Sequence, residues 1–115
     1  MLSNSQKLKM KKVIGAFVFK DDGDGCLTAK WLNNDELTAY PEASKLIKNT
    51  NGEKKFEGQY TSTWIEGGSH IVQSTLSITS PSNGIYDLFW SRGSVTIFTG
   101  RAMIYGELLI GSYWD

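Results

Sequence analysis

Residues 56–115 read FEGQYTSTWIEGGSHIVQSTLSITSPSNGIYDLFWSRGSVTIFTGRAMIYGELLIGSYWD, and this stretch decides the fold. Polar and apolar residues alternate in five runs, which lie at 56–65, 71–79, 85–90, 95–104 and 107–114. Short turns separate the runs, and Gly67-Gly68 and Pro81-Ser82-Asn83-Gly84 are the clearest of them. Period-two alternation broken by short glycine-containing turns predicts antiparallel strands joined as hairpins. We therefore expect a five-strand meander.

The alternation also assigns side chains to the two faces of each strand. In the first run one face carries Phe56, Gly58, Tyr60, Ser62 and Trp64. In the second run a shared face carries Val72, Ser74, Leu76 and Ile78. In the fourth run the face that holds Phe98, Gly100 and Ala102 lies opposite Arg101.

A hairpin is predicted ahead of the meander. The segment VIGAFVF at 13–19 is β-branched and aromatic, with apolar residues on both faces, so we expect a central or doubly covered strand. The turn KDDGDG at 20–25 contains an Asp-Gly pair, which suits the positive φ of a tight reversal. The segment LTAKWL at 27–32 then predicts the second strand of the hairpin.

One short helix is predicted between the hairpin and the meander. The segment PEASKLI at 41–47 begins with Pro41, which suits a first helical position. Glu42 then falls in the first turn, where the helix dipole favours an acid. Residues 1–11 are polar and lysine-rich, and we expect them to form a disordered tail.

These elements predict an all-β fold with seven or so strands and one short helix. Twisted antiparallel sheets of this size tend to close, because closure removes unpaired edges. We expect a single domain at 12–115, in which the meander closes into a small barrel. Within it, residues 12–48 hold the hairpin and the helix, and the polar stretch 49–55 leads into the meander at 56–115.

The composition limits the partners and the compartment. Twelve basic and twelve acidic residues balance, so the chain has no global attraction to nucleic acid or to an acidic membrane. We expect neither as a partner. A single cysteine, Cys26, allows no internal disulfide, which predicts a cytoplasmic protein.

No motif in the sequence assigns a reaction, a metal or a cofactor. His70 is the only histidine, and one histidine with one cysteine excludes a standard zinc site. Asp22, Asp24 and Gly25 resemble the core of a calcium loop, but Lys20 and Trp31 occupy its first and twelfth ligand positions. We predict no cofactor and name no catalytic residue, although an enzyme that uses His70 stays open.

The aromatic residues of the meander are the candidate binding residues. Tyr60, Trp64, Trp90 and Trp114 predict the lining of a small-molecule pocket, since such pockets combine aromatic walls with a few polar groups. Arg101 is the predicted anchor for a charged group, and Asp87 is a second anchor or the ion-pair partner of Arg101. The alternative is that the aromatic residues fill the core and that Arg101 is solvated.

Three short segments resemble the calycins, the group of small barrels that holds the avidins and lipocalins. They are FEGQY at 56–60 with Trp64, SVTIFTGR at 94–101, which is similar to an avidin strand reading nearly TTVFTGQ, and IGSYW at 110–114. The resemblance implies a barrel with a mouth. It implies no biotin site, because the Gly-Thr-Trp opening of avidins would here be displaced behind residues 12–48.

Two functions follow as expectations. In the first, the barrel binds a small apolar or amphipathic ligand, which requires a cavity of several hundred cubic ångströms rather than a filled interior. In the second, the protein is a structural or interaction module that associates with itself or another protein through a sheet face or edge, as a homodimer for example, and exposes a contiguous apolar patch.

Overall fold

A computed structural model of the chain describes residues 12–36, 38–48, 55–82 and 84–115. The described residues form eight strands and no helix. The strands are β1 (Ile14–Gly23), β2 (Cys26–Asn33), β3 (Tyr40–Lys48), β4 (Gly58–Glu66), β5 (His70–Ser82), β6 (Ile85–Arg92), β7 (Val95–Tyr105) and β8 (Leu108–Trp114). The all-β prediction is therefore confirmed. The predicted tail at 1–11 and most of the loop at 49–55 lie outside the described residues.

The eight strands close into an up-and-down barrel. Each strand runs antiparallel to the next in sequence order, and β1 also pairs with β8. At this seam Ile14 lies opposite Trp114, and Lys20 lies opposite Leu108. The predicted closure is confirmed, and the described sheet has no free edge.

The core is made by alternate side chains that point into the barrel. The inward faces predicted for the first two runs of the meander are confirmed, since Phe56 is buried just before β4 and the other residues of both sets are buried along β4 and β5. In β7, Gly100 and Ala102 are buried while Arg101 points outward. Burial of this apolar set supplies the main stabilisation of the barrel, as expected for a domain of this size.

The helix predicted at 41–47 is wrong, because this segment belongs to strand β3. Its residues alternate between outside and inside, and Glu42 and Ser44 are buried while Ala43 is exposed. A seven-residue segment is too short to be a stable helix without tertiary support. Pairing supplies the decisive stabilisation, since β3 bonds to β2 on one side and to β4 on the other. Pro41 is tolerated because it lies near the start of the strand.

The N-terminal hairpin is part of the barrel wall. Strand β1 lies between β2 and β8, and it buries Phe17 and Phe19. Its other face is open, with Ile14 59% exposed. Of the two placements expected for residues 13–19, the central strand is confirmed. Coverage of both faces is wrong, because pairing on two sides does not cover the outward face of a single-layer barrel.

The two ends of the barrel differ. One end, which we call the closed end, holds the β1–β2, β3–β4, β5–β6 and β7–β8 connections. There Phe56 is buried, and its carbonyl oxygen accepts a hydrogen bond from the Tyr60 hydroxyl at 2.9 Å. The other end holds the β2–β3, β4–β5 and β6–β7 connections, and there β1 begins and β8 ends. The described residues include no helix that is long and apolar enough to cross a membrane.

Candidate functional site

A cavity of about 330 Å³ occupies the second end of the barrel, where the β2–β3 and β4–β5 connections lie. We call it the mouth cavity. Its walls come from seven strands or their adjoining residues, and they consist of Val13, Phe17, Trp31, Asn33, Asp35, Glu36, Glu42, Trp64, Glu66, Gly67, Trp90, Phe98 and Tyr113. Inward side chains reach this space because β1, β3 and β7 begin here while β2, β4, β6 and β8 end here.

Six of the thirteen residues that line the cavity are aromatic. Tyr113 lies at their centre, and its ring meets that of Phe98 edge to face at 5.4 Å and that of Trp31 at 6.4 Å. Trp90 meets Phe17 in a similar edge arrangement at 5.7 Å. Rings packed edge to face hold each other in place, so the wall is preorganised before any ligand arrives.

Glu42 is the one buried carboxylate in the wall, at 7% exposure. The Ser62 hydroxyl donates a short hydrogen bond to Oε2 of Glu42, and the Trp90 indole Nε1 donates another to the same oxygen at 3.0 Å. Burial raises the pKa of Glu42, and the two hydrogen bonds oppose this shift. Oε1 accepts no hydrogen bond from the described residues.

The hydrogen bonds around Glu42 form an ordered chain. The Oγ atoms of Ser44 and Ser62 lie 2.7 Å apart, and the two serines face each other across β3 and β4. The single hydroxyl proton of Ser62 is used on Glu42, so with an ionised carboxylate Ser44 must donate to Ser62. The chain fixes the position of the carboxylate in the barrel interior.

The rim of the mouth cavity is acidic. Asp35, Glu36 and Glu66 join Glu42 in the lining, and no Lys, Arg or His lies among the described lining residues. Oε1 of Glu66 accepts a hydrogen bond from Nε1 of Trp64 at 3.0 Å.

On the neighbouring wall, a second polar pair holds Tyr113 in place. Nδ2 of Asn33 donates a hydrogen bond to the Tyr113 hydroxyl at 3.0 Å. Burial raises the pKa of Tyr113, so its phenol is neutral and can donate a hydrogen bond in turn.

Three of the six predicted site residues lie inside the barrel. Trp64 and Trp90 line the mouth cavity. Tyr60 shares the inward face of β4 with Trp64, as predicted, but it lies towards the closed end, where its hydroxyl bonds to Phe56.

The other three predicted site residues lie on the outer surface. Nε of Arg101 and Oδ1 of Asp87 are 3.2 Å apart, so the predicted ion pair between them is confirmed. The Arg101 side chain is 63% exposed, and Trp114 is 39% exposed. Their position follows from strand alternation, because Gly100, Ala102 and Tyr113 occupy the neighbouring inward positions.

Sequence reasoning did not assign Glu42, Trp31 or Asn33 to the site. The signal for Glu42 is the order Glu42, Ser44, Leu46, which places two polar groups and a leucine on one face of a strand. The predicted helix concealed this signal. Asn33 is the last residue of β2, and nothing in the sequence distinguishes an asparagine at the end of a strand from one in a loop.

Two reactive side chains lie away from the mouth cavity. Cys26 begins β2 at the closed end, and His70 begins β5 with an exposed side chain outside the cavity lining. Across the described parts of the chain, no group of three or more His, Cys, Asp or Glu side chains is arranged to hold a metal ion.

Comparisons with known proteins give no relative. No family model, no curated protein and no solved structure matches the chain. The resemblance to calycins therefore stays an expectation from the three sequence segments, and the function is argued from the site alone.

Proposed function

We propose that this protein binds a small apolar or amphipathic molecule in the mouth cavity. The observation that carries the proposal is a cavity of about 330 Å³ whose wall combines six aromatic rings with one fixed, buried carboxylate. Ligand pockets have volumes of roughly 300–1,000 Å³, mainly apolar walls and a few oriented polar groups. The mouth cavity has all three properties.

Packing alone does not account for this end of the barrel. Protein interiors are close-packed, and a buried carboxylate costs stability that an apolar side chain of similar volume would not. Glu42 and its serine partners occupy positions where Val or Leu would fill a core. A polar group held beside an open space is the arrangement expected of a ligand anchor.

Two of the ligand contacts predicted from the sequence are retained here, and the predicted polar anchors are replaced. Trp64 and Trp90 remain ligand contacts, because both line the cavity. The polar anchors become Glu42 and Tyr113 in place of Asp87 and Arg101, which pair with each other outside. Trp114 has no part in the pocket.

The test is a fluorescence titration with the neutral dye N-phenyl-1-naphthylamine. Val13 lines the cavity, whereas its neighbour Ile14 points outward, so the two positions form a matched pair. Val13→Trp places an indole in the pocket and should weaken dye binding by about tenfold or more, while Ile14→Trp should leave it within about twofold. Equal effects of the two variants on dye binding would overturn the proposal.

Self-association is a second candidate, favoured by one surface. The outer faces of β7, β8 and β1 place Met103 beside Ile110, Ile110 beside Val18, and Trp114 beside Ile14. We call these five residues the outer apolar face. The row of Arg101, Ser112 and Ala16 lies between the Met103–Ile110–Val18 row and the Trp114–Ile14 pair. A group of exposed apolar residues on one face often marks an interface. With β1 paired to β8, association would use this sheet face, since the seam leaves no free strand there.

Native mass spectrometry tests the second candidate on the protein as purified. Self-association predicts a dimer that Met103→Lys converts to a monomer, because a charge placed on the outer apolar face cannot be buried without a partner. A wild-type protein that stays monomeric at every concentration would exclude it. In the same spectrum, extra mass that is lost on denaturation would report a ligand retained from the cell.

A further inference from the structure

We infer that the ligand of the mouth cavity is an organic cation, whose ammonium group is bound by Glu42 while its apolar body packs against the aromatic wall. This inference rests on the proposed small-molecule site and names the chemical class of its ligand. Charge, hydrogen bonding and ring chemistry support it separately.

The charge of the cavity lining is of one sign. Four carboxylate side chains line it, those of Asp35, Glu36, Glu42 and Glu66, and the described lining has no basic residue. The whole chain carries no net charge, so this is a local feature. A concave site lined by one sign of charge concentrates ions of the other sign and repels its own. The mouth cavity thus favours a cation and disfavours a carboxylate or phosphate ligand.

Glu42 has no cation of its own. No described Lys or Arg forms a salt bridge with it, although salt bridges are found elsewhere, between Lys55 and Glu107 and between Arg101 and Asp87. Buried charges in proteins are normally paired with an opposite charge, because an unpaired one loses its hydration without compensation. Ser62 and Trp90 both bond to Oε2. Oε1 is left as the acceptor for a donor that the described residues do not supply.

The aromatic wall fits the same ligand class. A cation near the face of an indole or phenol ring is attracted by the ring quadrupole, and Trp gives the strongest interaction. Three of the four tryptophans of the chain line the mouth cavity, namely Trp31, Trp64 and Trp90. Trp90 links the two features, because its ring lies in the wall while its Nε1 bonds to Glu42. An ammonium group at Oε1 would therefore be close to both a carboxylate and an indole.

A neutral ligand is the main alternative. It would take a hydrogen bond from a protonated Glu42, and it would gain nothing from the acidic rim. A site for cations and a site for neutral ligands respond differently when only the charge of the ligand changes. Three probes that share a phenyl group but carry an amine, an alcohol or a carboxylate therefore distinguish the two.

The experiment compares phenethylamine, 2-phenylethanol and 3-phenylpropionate by isothermal titration calorimetry on the full chain near neutral pH. We expect the affinity of the amine to be at least about tenfold higher than that of the alcohol, because the amine gains a charge-assisted hydrogen bond. The acid should show no binding. Glu42→Gln should remove the advantage of the amine and leave alcohol binding within about twofold.

Glu107→Gln is the matched control. Glu107 lies in the β7–β8 turn at the closed end and pairs with Lys55 at 2.9 Å. This variant makes the same change of net charge as Glu42→Gln but acts far from the cavity, so the preference for the amine should persist. Loss of that preference in both variants would assign it to overall charge and overturn the role of Glu42.

The outcomes separate this inference from the proposed function. If the alcohol or the acid binds as tightly as the amine, the cation inference fails while small-molecule binding stands. If no phenyl probe binds but the neutral dye does, the cation inference fails in the same way. If neither the probes nor the dye binds the wild-type protein, the proposed function itself fails, and the inference with it.

Discussion

Burial of the Glu42 carboxyl group in the wall of the mouth cavity lowers the stability of the folded protein. The carboxyl group is buried against aromatic rings, and its hydrogen bonds to Ser62 and Trp90 offset only part of the lost hydration. Glu66, Asp35 and Glu36 line the same cavity and add negative charge. His70 begins β5 at this end of the barrel but does not line the cavity. The cost of burying Glu42 fits its proposed role as a ligand anchor.

This cost predicts the pH dependence of stability. Burial raises the pKa of Glu42 in the folded state above its ordinary value of 4.5, so the folded protein holds the proton more firmly than the unfolded chain does. The contribution of Glu42 to stability is therefore complete below pH 4.5 and is lost as pH rises through the raised pKa. Glu42→Gln removes this dependence. In urea unfolding, the variant should gain stability relative to wild type as pH rises, and a pH-independent difference would contradict the assignment.

The tryptophans give a second prediction at the residue scale. Trp64 lines the cavity, whereas Trp114 lies on the outer apolar face. Trp64→Phe removes part of the wall and the hydrogen bond to Glu66, so dye affinity should fall by about threefold to tenfold, or roughly 1 kcal/mol. Trp114→Phe should change dye affinity by less than about twofold. If Trp114→Phe had the larger effect in the same dye titration, the ligand would lie outside the barrel.

Strand β3 shows how far the sequence could predict the fold. Strands β4–β8 were predictable because alternation over 56–115 is regular and the turns between runs are short. Residues 41–47 favour a helix by local preference, because Glu, Ala, Lys and Leu are good helix formers, and it is their pairing with β2 and β4 that makes them a strand. The helix predicted for this segment hid the alternation of Glu42 and Ser44. That single error removed Glu42 from the predicted site.

The outward residues could have been placed from the sequence. Arg101 stands between Gly100 and Ala102, which were assigned to the other face, so strand alternation already put it outside. Its selection as an anchor followed from its charge alone. Charge identifies a candidate residue, but the face of the strand decides whether that residue can reach a cavity.

The seam between β1 and β8 gives a prediction at the element scale. Gly15 lies opposite Tyr113, and a Cβ added at Gly15 would be 2.3 Å from Cε1 of Tyr113 and 2.4 Å from the backbone oxygen of Leu32. Gly15→Ala should therefore lower the free energy of unfolding by about 1–3 kcal/mol.

Ala16→Ser is the control for the seam. Ala16 points outward on the same strand, so this change should cost less than about 0.5 kcal/mol. Thermal or urea unfolding measures both variants. Equal stability of Gly15→Ala and wild type would mean that β1 and β8 do not close the barrel in the register of Gly15 with Tyr113.

The interior of the barrel is filled towards one end and holds the mouth cavity at the other. The side chains of Leu76, Ile78, Leu88 and Leu109 are fully buried and do not line the cavity, whereas the aromatic residues at the other end leave space. Barrel closure could be predicted from the number of strands, because a free edge is costly. Which end is hollow could not, since it depends on how inward side chains from seven strands meet.

The most direct test of small-molecule binding is an amide and indole NMR spectrum recorded with and without phenethylamine. The chain has four tryptophans, so four indole N–H signals report on different places in one sample. We expect the signals of Trp64 and Trp90 to shift, with Trp90 affected most because its N–H bonds to Glu42, while the signal of Trp114 stays unchanged. A spectrum in which only Trp114 moves, or in which no indole signal moves with either the amine or the neutral dye, would contradict a ligand site in the mouth cavity.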